Sequence, residues 1–480
     1  MLWIAISLPQ LPLEVFLRGC SSTELQRTPW ITADAHTVLV ANEVALAKGV
    51  RPGMALSAAY ALARDLEVKR RDPALEAQAL RALAAWAGQF TPSVALDEHG
   101  LLLEVSGSLK LFAGIEPITA KLRSGITALG FTASLACAPT ARAAWWLACA
   151  GKETMVSDAA QLPSKLAALS IYTLDWPADT LTMLDAVGVN TLGEVMALPR
   201  DGFARRFGQP LLDQLDQALG RAPEAHVFFV PPERFRSRLE LPAAVERSDA
   251  LLFACRRLLV ELSGVLAARA SGVQQFHLTL EHDDRRETAL TFNLVAPGRD
   301  ATHFGLLVRE RFGKLELSAP VYALVLCADT LLPLAGTNLT LFRDKQDGAT
   351  DWPRLVERLR ARLGVTAVHG LSMVAEHRPE YVVRPAAPGT AAPRTGWPQF
   401  GERPLWLLAA PQPLIEVDAK PMLRGPLALL AGPERIEAGW WDGDDIARDY
   451  FIAQDTGQAL LWVYRERRDP GGWFLHGLFA

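Results

Sequence analysis

The chain has 480 residues, half of them hydrophobic, enough to bury several cores, and this length predicts three to five globular units. A net charge of -4 and a pI near 6.2 exclude a globally basic nucleic-acid binder, so any such contact must come from local faces. The five scattered cysteines contain no CxxC, which argues against a disulfide framework and a zinc site and fits a reducing cytoplasm. No basic region precedes the apolar N-terminus, and no charge-free run reaches the roughly 18 to 20 residues of a membrane span, so the chain reads as soluble and unprocessed.

The first segment, "LWIAIS", is an apolar strand, followed by the Pro-punctuated turn "LPQLPLE". "ANEVALAKGVRPGMALSAAYALARDL" reads as a helix, a Gly-Val-Arg-Pro-Gly turn and a second helix. In "LEAQALRALAAWAGQF", Leu80, Leu83, Trp86 and Phe90 fall near one helical face, which should pack on a sheet. "PSVALDEHGLLLEVSG" predicts a hairpin turning at Glu98 to Gly100, then a helix near 114 to 129 and a strand at "TASLACAP".

Residues 163 to 221 carry short helical patterns and form a compact helical unit. Strands at "FRSRLEL", "FHLTLEH", "ALTFNLV" and "YALVLCA" alternate with helices near 249 to 268 and 302 to 313, which predicts a second α+β unit. Asp351 is placed to cap "WPRLVERLRARLG" with Pro353 in its first turn. That helix carries Leu355, Leu359 and Leu363 on one stripe and Arg354, Arg358, Arg360 and Arg362 elsewhere, and the stripe is expected to dock on its own domain. "RPAAPGTAAPRTGWP" has linker composition, and the Trp-rich last 80 residues read as a small β-rich module whose tryptophans are mainly core.

Common hydrolase, NTPase and dinucleotide motifs are missing from the chain. The carboxylates that could serve metal-bound phosphates are Asp97, Glu98 and Glu104, but adjacent strand residues point to opposite faces, so Asp97 and Glu98 share a site only if a turn intervenes.

The order of elements and the stretch "ANEVALAKGVRPGMALSAAYAL" resemble Y-family translesion DNA polymerases over roughly residues 1 to 345. The resemblance implies an α+β multidomain right hand. Palm and fingers would span 1 to 160, with fingers at about 12 to 75. A helical thumb would follow at 161 to 230 and a little finger at 231 to 345. A helix and Pro/Ala-rich linker at 346 to 398 and the β-rich module at 399 to 480 complete the expected organisation. The family's triphosphate-holding Tyr and Arg correspond here to Asn42 and Ala45, and its metal-binding acids on the first strand to Ala5 and Ser7. The family's hairpin motif aligns to put His99 and Gly100 where an acidic pair belongs, although a shifted gap returns Asp97 and Glu98 to that place. Its Ala-Pro-Asn-Lys-x-x-Ala-Lys motif matches "APTARAAW", so the second Lys becomes Trp145.

Two-metal phosphoryl transfer needs carboxylates to hold both ions, so this pattern resembles the catalytically inactive, ImuB-type branch of bacterial damage-induced mutagenesis, with no cofactor and no metal. "SLPQLPLE" and "GWFLHGLF" extend that resemblance over nearly the whole chain. It implies a cytoplasmic adaptor that binds primer-template DNA and the β sliding clamp and recruits an ImuA-type protein and an error-prone C-family DNA polymerase. The competing enzymatic reading is a low-activity polymerase using Asp97, Glu98 and Glu104.

Two DNA-binding features stand out. "LLDAVGVNTLGEVMALP" resembles a helix-hairpin-helix in which the Gly188 and Val189 amides meet a phosphate and Thr191 starts the next helix; the other reading is an ordinary helix turn. Arg234, Arg236 and Arg238 recur at period two and share one strand face, either to track a phosphate backbone or as a protected edge. "NLTLF" resembles a clamp-binding motif through Leu339, Leu341 and Phe342, departing from it at Asn338, and otherwise reads as a final strand. "QLPLE" and "RPLWLL" are weaker matches.

Overall fold

The apolar run at Trp3–Ser7 forms a central strand because both of its faces are covered. Ile4 and Ile6 point toward the helices Pro73–Ala87 and Ile115–Leu129, while Trp3 and Ala5 point toward the helix Ala141–Cys149. The computed structural model describes residues 1–20, 22–151, 153–334, 347–388 and 402–479. The chain divides into two compact units, Met1–Arg362 and Leu363–Ala480.

In the first unit the four-stranded sheet runs Val94–Asp97, Gly100–Glu104, Trp3–Ser7, Ser134–Ala138, every neighbour antiparallel. The hairpin turns at Glu98 and His99, as its sequence predicts, and Leu80, Leu83, Trp86 and Phe90 are all buried in the core on the Ile4 side. The helix–turn–helix stretch is observed as Glu43–Ala47 and Leu56–Leu62, with Gly49 and Gly53 at positive φ between them, where a side chain would be strained. These helices share a small core with a three-stranded sheet, Thr37–Ala41, Trp30–Asp34 and Glu67–Arg70, which the sequence reading missed.

Five short helices between Leu162 and Ala218 supply Leu184, Leu192, Phe203 and Leu212 to the same core as Trp3, Ala5 and Trp146. The helical segment therefore caps one face of the first sheet. A second antiparallel sheet, in the order Glu287–Gly298, Ser271–His282, Val321–Ala328, Phe235–Val245, carries the helices Leu251–Ala268 and Ala301–Phe312 on one face.

The two sheets are joined through their helices. The Trp86 ring lies between Gly125 and Gly264, where a Cβ at either glycine would fall 2.1 Å from the ring. Nearby, Arg18 and Glu261 form a buried ion pair at 3.2 Å, and the Arg18 Nε–H donates to the Leu129 carbonyl at 3.0 Å.

Two sequence expectations about the helix after the second sheet are corrected. It spans Asp347–Leu363, so Asp351 is internal and Pro353 lies inside the helix, where its missing N–H leaves the carbonyl four residues earlier without its helical partner. The Leu355, Leu359 and Leu363 stripe is exposed, and the helix docks instead through Val356, Ala361 and Glu357. Glu357 accepts from the Val295 amide at 2.6 Å and pairs with His303 at 2.5 Å, so buried polar partners on the second sheet and its helix decide which face turns inward.

In the second unit, Val383–Ala386, which overlaps the start of the stretch of linker composition, pairs with Gly370–Met373. A six-stranded antiparallel sheet follows: Lys420–Met422, Trp406–Val417, Gly472–Leu478, Leu460–Glu466, Ile446–Gln454, Ala428–Ala438. Trp462 and Trp473 are core residues, whereas Trp440 and Trp441 are exposed. Among the described residues no helix is long and apolar enough to cross a membrane.

Candidate functional site

At the C-terminal end of the first strand, Ser7 lies opposite Gly100 on one side and Ser134 on the other. A cavity of about 460 Å³ opens there, lined in part by Ser7, Arg71, Glu98, His99, Trp145 and Cys149. Ala5 is fully buried, in the same core as Trp145. Gly100 has no room for any side chain: a Cβ there would lie 1.9 Å from the Ile6 carbonyl oxygen and 3.0 Å from the Trp145 ring. Backbone and indole fill that position.

The three carboxylates of the enzymatic reading do not converge. Asp97 shares the sheet face of Ser7, with Gly100 between them, and burial raises its pKa from the ordinary value against smaller opposing effects led by the His99 backbone hydrogen bond. The hairpin turn brings Glu98 to the cavity wall. Glu104, however, lies opposite Trp3, about 13 Å along the strand from Gly100 at the usual rise, and accepts from the Leu2 and Ser106 amides. Among the described residues no group of three or more His, Cys, Asp or Glu side chains is placed to hold a metal ion.

Asn42 is committed to local structure. Its Oδ1 accepts from the amides of Ala45 and Trp30 at 2.9 and 3.0 Å, and its Nδ2 donates to the Thr28 carbonyl at 2.9 Å. It therefore caps the helix Glu43–Ala47 and ties it to the start of the strand Trp30–Asp34. Ala45 is a buried core residue of the same small unit.

The turn at Gly188 is present, with φ at +78°, but its amides face inward. Gly188 N–H donates to the Asp185 carbonyl and Val189 N–H to the Leu184 carbonyl, which corrects the expectation that these two donors are free for a phosphate. The next two amides, of Asn190 and Thr191, both donate to Glu194 at 2.8 and 2.9 Å, and these bonds lower the Glu194 pKa. Thr191 and Glu194 form a complete capping box, so a side chain of the protein already occupies the anion position of the hairpin. The S/T-x-x-E spacing in "TLGE" is the signal that could have revealed it.

The arginine stripe lies at the start of Phe235–Val245, an edge strand. Phe235, Ser237 and Leu239 point inward, while Arg236 and Arg238 alternate with them toward the other face; Arg234 precedes the strand and is exposed. Arg238 is bound by Glu240 at 2.5 Å and Glu281 at 2.9 Å, and these pairs raise its pKa. Arg236 approaches the Cys327 sulfur at 3.8 Å and forms no ion pair with a described carboxylate. Farther across the face, Gln275 pairs with Asn293 and His277 with Thr291. The clamp-motif residues Asn338, Leu339, Leu341 and Phe342 lie outside the described residues.

A family model described as impB/mucB/samB family matches residues 15–149. The chain is 29% identical over 457 residues to Protein ImuB of two Caulobacter vibrioides strains, NA1000 / CB15N and ATCC 19089 / CIP 103742 / CB 15, covering 90% of this chain and all of each relative. Similar solved structures include a Dbh ternary complex and DinB from Sulfolobus solfataricus, each 13% identical with a TM-score of 0.37, covering 70% of this chain and all of theirs. Residues 15–149 are thus similar to the impB/mucB/samB family, and over nine-tenths of its length the chain is similar to Protein ImuB.

Proposed function

We propose that the chain is a non-catalytic, polymerase-shaped adaptor of bacterial translesion synthesis. The observation that carries this reading is the filling of the family's acidic position on the hairpin: at Gly100 the Ile6 carbonyl and the Trp145 ring leave no volume for a carboxylate. Support comes from Ala5 in the core and Asn42 in a helix cap. Residues 1 to 160 act as palm and fingers, 161 to 230 as thumb and 231 to 345 as little finger; residues 346 to 398 carry a helix and linker ahead of the partner-binding module at 399 to 480. The protein works in the cytoplasm, where its ImuA-type and C-family polymerase partners meet that module.

The test is primer extension with excess protein and Mg²⁺ or Mn²⁺, with DNA binding followed in the same reaction. Bound primer-template without extension is expected. Extension abolished by Asp97→Ala with Glu98→Ala would establish the low-activity polymerase reading, which the positions of these two acids near the cavity favour.

DNA contact is assigned first to Arg234 and Arg236, because Arg238 is already neutralised by two carboxylates. Replacing Arg234 and Arg236 with Ala should weaken binding at low salt and reduce the slope of log K against log salt by about 2, while Arg238→Ala changes it little. An unaltered slope places the contact elsewhere. If the turn carrying Gly188, Val189 and Thr191 also takes a phosphate, that phosphate must displace Glu194, so Glu194→Gln should tighten DNA binding; unchanged affinity would remove the turn from the interface. Clamp binding is assigned to Asn338, Leu339, Leu341 and Phe342. Leu341→Ala with Phe342→Ala should abolish it in a surface-binding assay, and retained affinity would move the motif.

A further inference from the structure

The helix Asp347–Leu363 presents a face that the adaptor reading does not use. Trp352 is 62% exposed, Leu355 47%, Leu359 38% and Leu363 54%, although the same helix is pinned to the second sheet by buried Val356 and Glu357. A helix advances 100° per residue, so these four side chains fall on one stripe. Arg354, Arg358 and Arg362 recur every fourth position and form a parallel row directly beside it. Between Trp352 and Leu363 the one carboxylate is Glu357, which is buried against His303, so over that stretch the charge offered to solvent is positive. Asp300 and Glu310 partly offset Arg354 and Arg358, while Arg362 has no ion-pair partner among the described residues.

We propose that this stripe is a docking surface for an acidic amphipathic helix of a protein partner. Four large apolar side chains in a helical row match the anchors by which one amphipathic helix packs on another, with a row of carboxylates facing the arginines. Nucleic acid would use the arginines but leave the three leucines unburied. A second copy of the chain would bring another arginine row, which antiparallel pairing sets against the first.

The test uses the full chain and two fluorescein-labelled helical peptides built of Leu/Glu or Leu/Lys heptads, with binding followed by anisotropy. The Leu/Glu peptide should bind and the Leu/Lys peptide should not. Leu355→Glu with Leu359→Glu should weaken binding about tenfold or more, and Arg362→Glu about threefold. Both sites are exposed, so the circular dichroism of these variants should match that of the parent; Trp352→Ala is the milder substitute if the double variant loses helix. Equal binding of both peptides, or full affinity in the stripe variants, would overturn the proposal. So would a stripe variant that loses DNA binding in place of peptide binding. Self-association in sedimentation that disappears with Leu355→Glu would make the occupant a second copy and equally overturn it.

Discussion

Replacing Gly100 with aspartate is expected to prevent stable folding of the Met1–Arg362 unit, not to rebuild a carboxylate site. The added Cβ would sit 1.9 Å from the Ile6 carbonyl oxygen, a contact with backbone that no side-chain rotation relieves. Ordinary overpacking of a core costs about 1–3 kcal/mol; a clash with the central strand should exceed the upper end of that range. The register of that strand with Gly100–Glu104 would have to break at Ser7. Ala5→Asp should also destabilise, by several kcal/mol, because it places a carboxylate in a fully buried apolar core beside Trp145. Far-UV circular dichroism and urea unfolding of the full chain would measure both. A Gly100→Asp chain with parental stability would mean that the hairpin has slack, and it would reopen the possibility that acids can be accommodated at this end of the sheet. At Gly100 and Ala5 the space is filled by packing.

The second large effect is expected at Glu261. Its carboxylate pairs with Arg18 in a buried setting, and Arg257 lies close by, its pKa lowered to about 10 by burial and then by the charge of Arg18. Glu261→Ala leaves the buried Arg18 guanidinium without its carboxylate beside a second guanidinium, and truncating one partner of a buried pair typically costs about 3–5 kcal/mol. Because the pair joins Leu251–Ala268 to the end of the helix Leu11–Leu17, which forms where the sequence predicts only a Pro-punctuated turn, the loss should appear at the junction of the two sheets. Hydrogen exchange should accelerate together in Pro73–Ala87 and Leu251–Ala268, the helices that meet at Trp86. Unchanged exchange would show that the Trp86 slot alone holds the junction.

Much of this was legible without coordinates. The period-two alternation of Phe235, Ser237 and Leu239 against Arg236 and Arg238 marks a strand with two unlike faces, and the structure places them so. The hairpin at Glu98 and His99 and the glycines that permit the turn at Gly49 and Gly53 are local choices of backbone conformation, and local sequence carries them. The residue types at Ala5, Asn42, Ala45 and Trp145 are likewise read directly from the sequence.

Tertiary structure decided what those residue types do. Gly100 as a position without volume and Trp145 as its lid depend on chain segments far apart in sequence, whereas the Asn42 cap closes on residues 3 to 14 positions away. The Glu194 carboxylate on the hairpin amides shows how a polar side chain competes with a ligand for the amide donors of a turn. The helix Asp347–Leu363 makes the point most plainly. Its sequence determined that it has an apolar stripe and a cationic row, because a 3.6-residue period is intrinsic to the chain. Which face turns inward was decided by Val295 and His303, whose amide and imidazole bind Glu357 and so leave the leucines outside. Periodicity orders side chains around an axis, but only the hydrogen-bonding partners and cavities of the rest of the fold choose the direction in which that axis is turned.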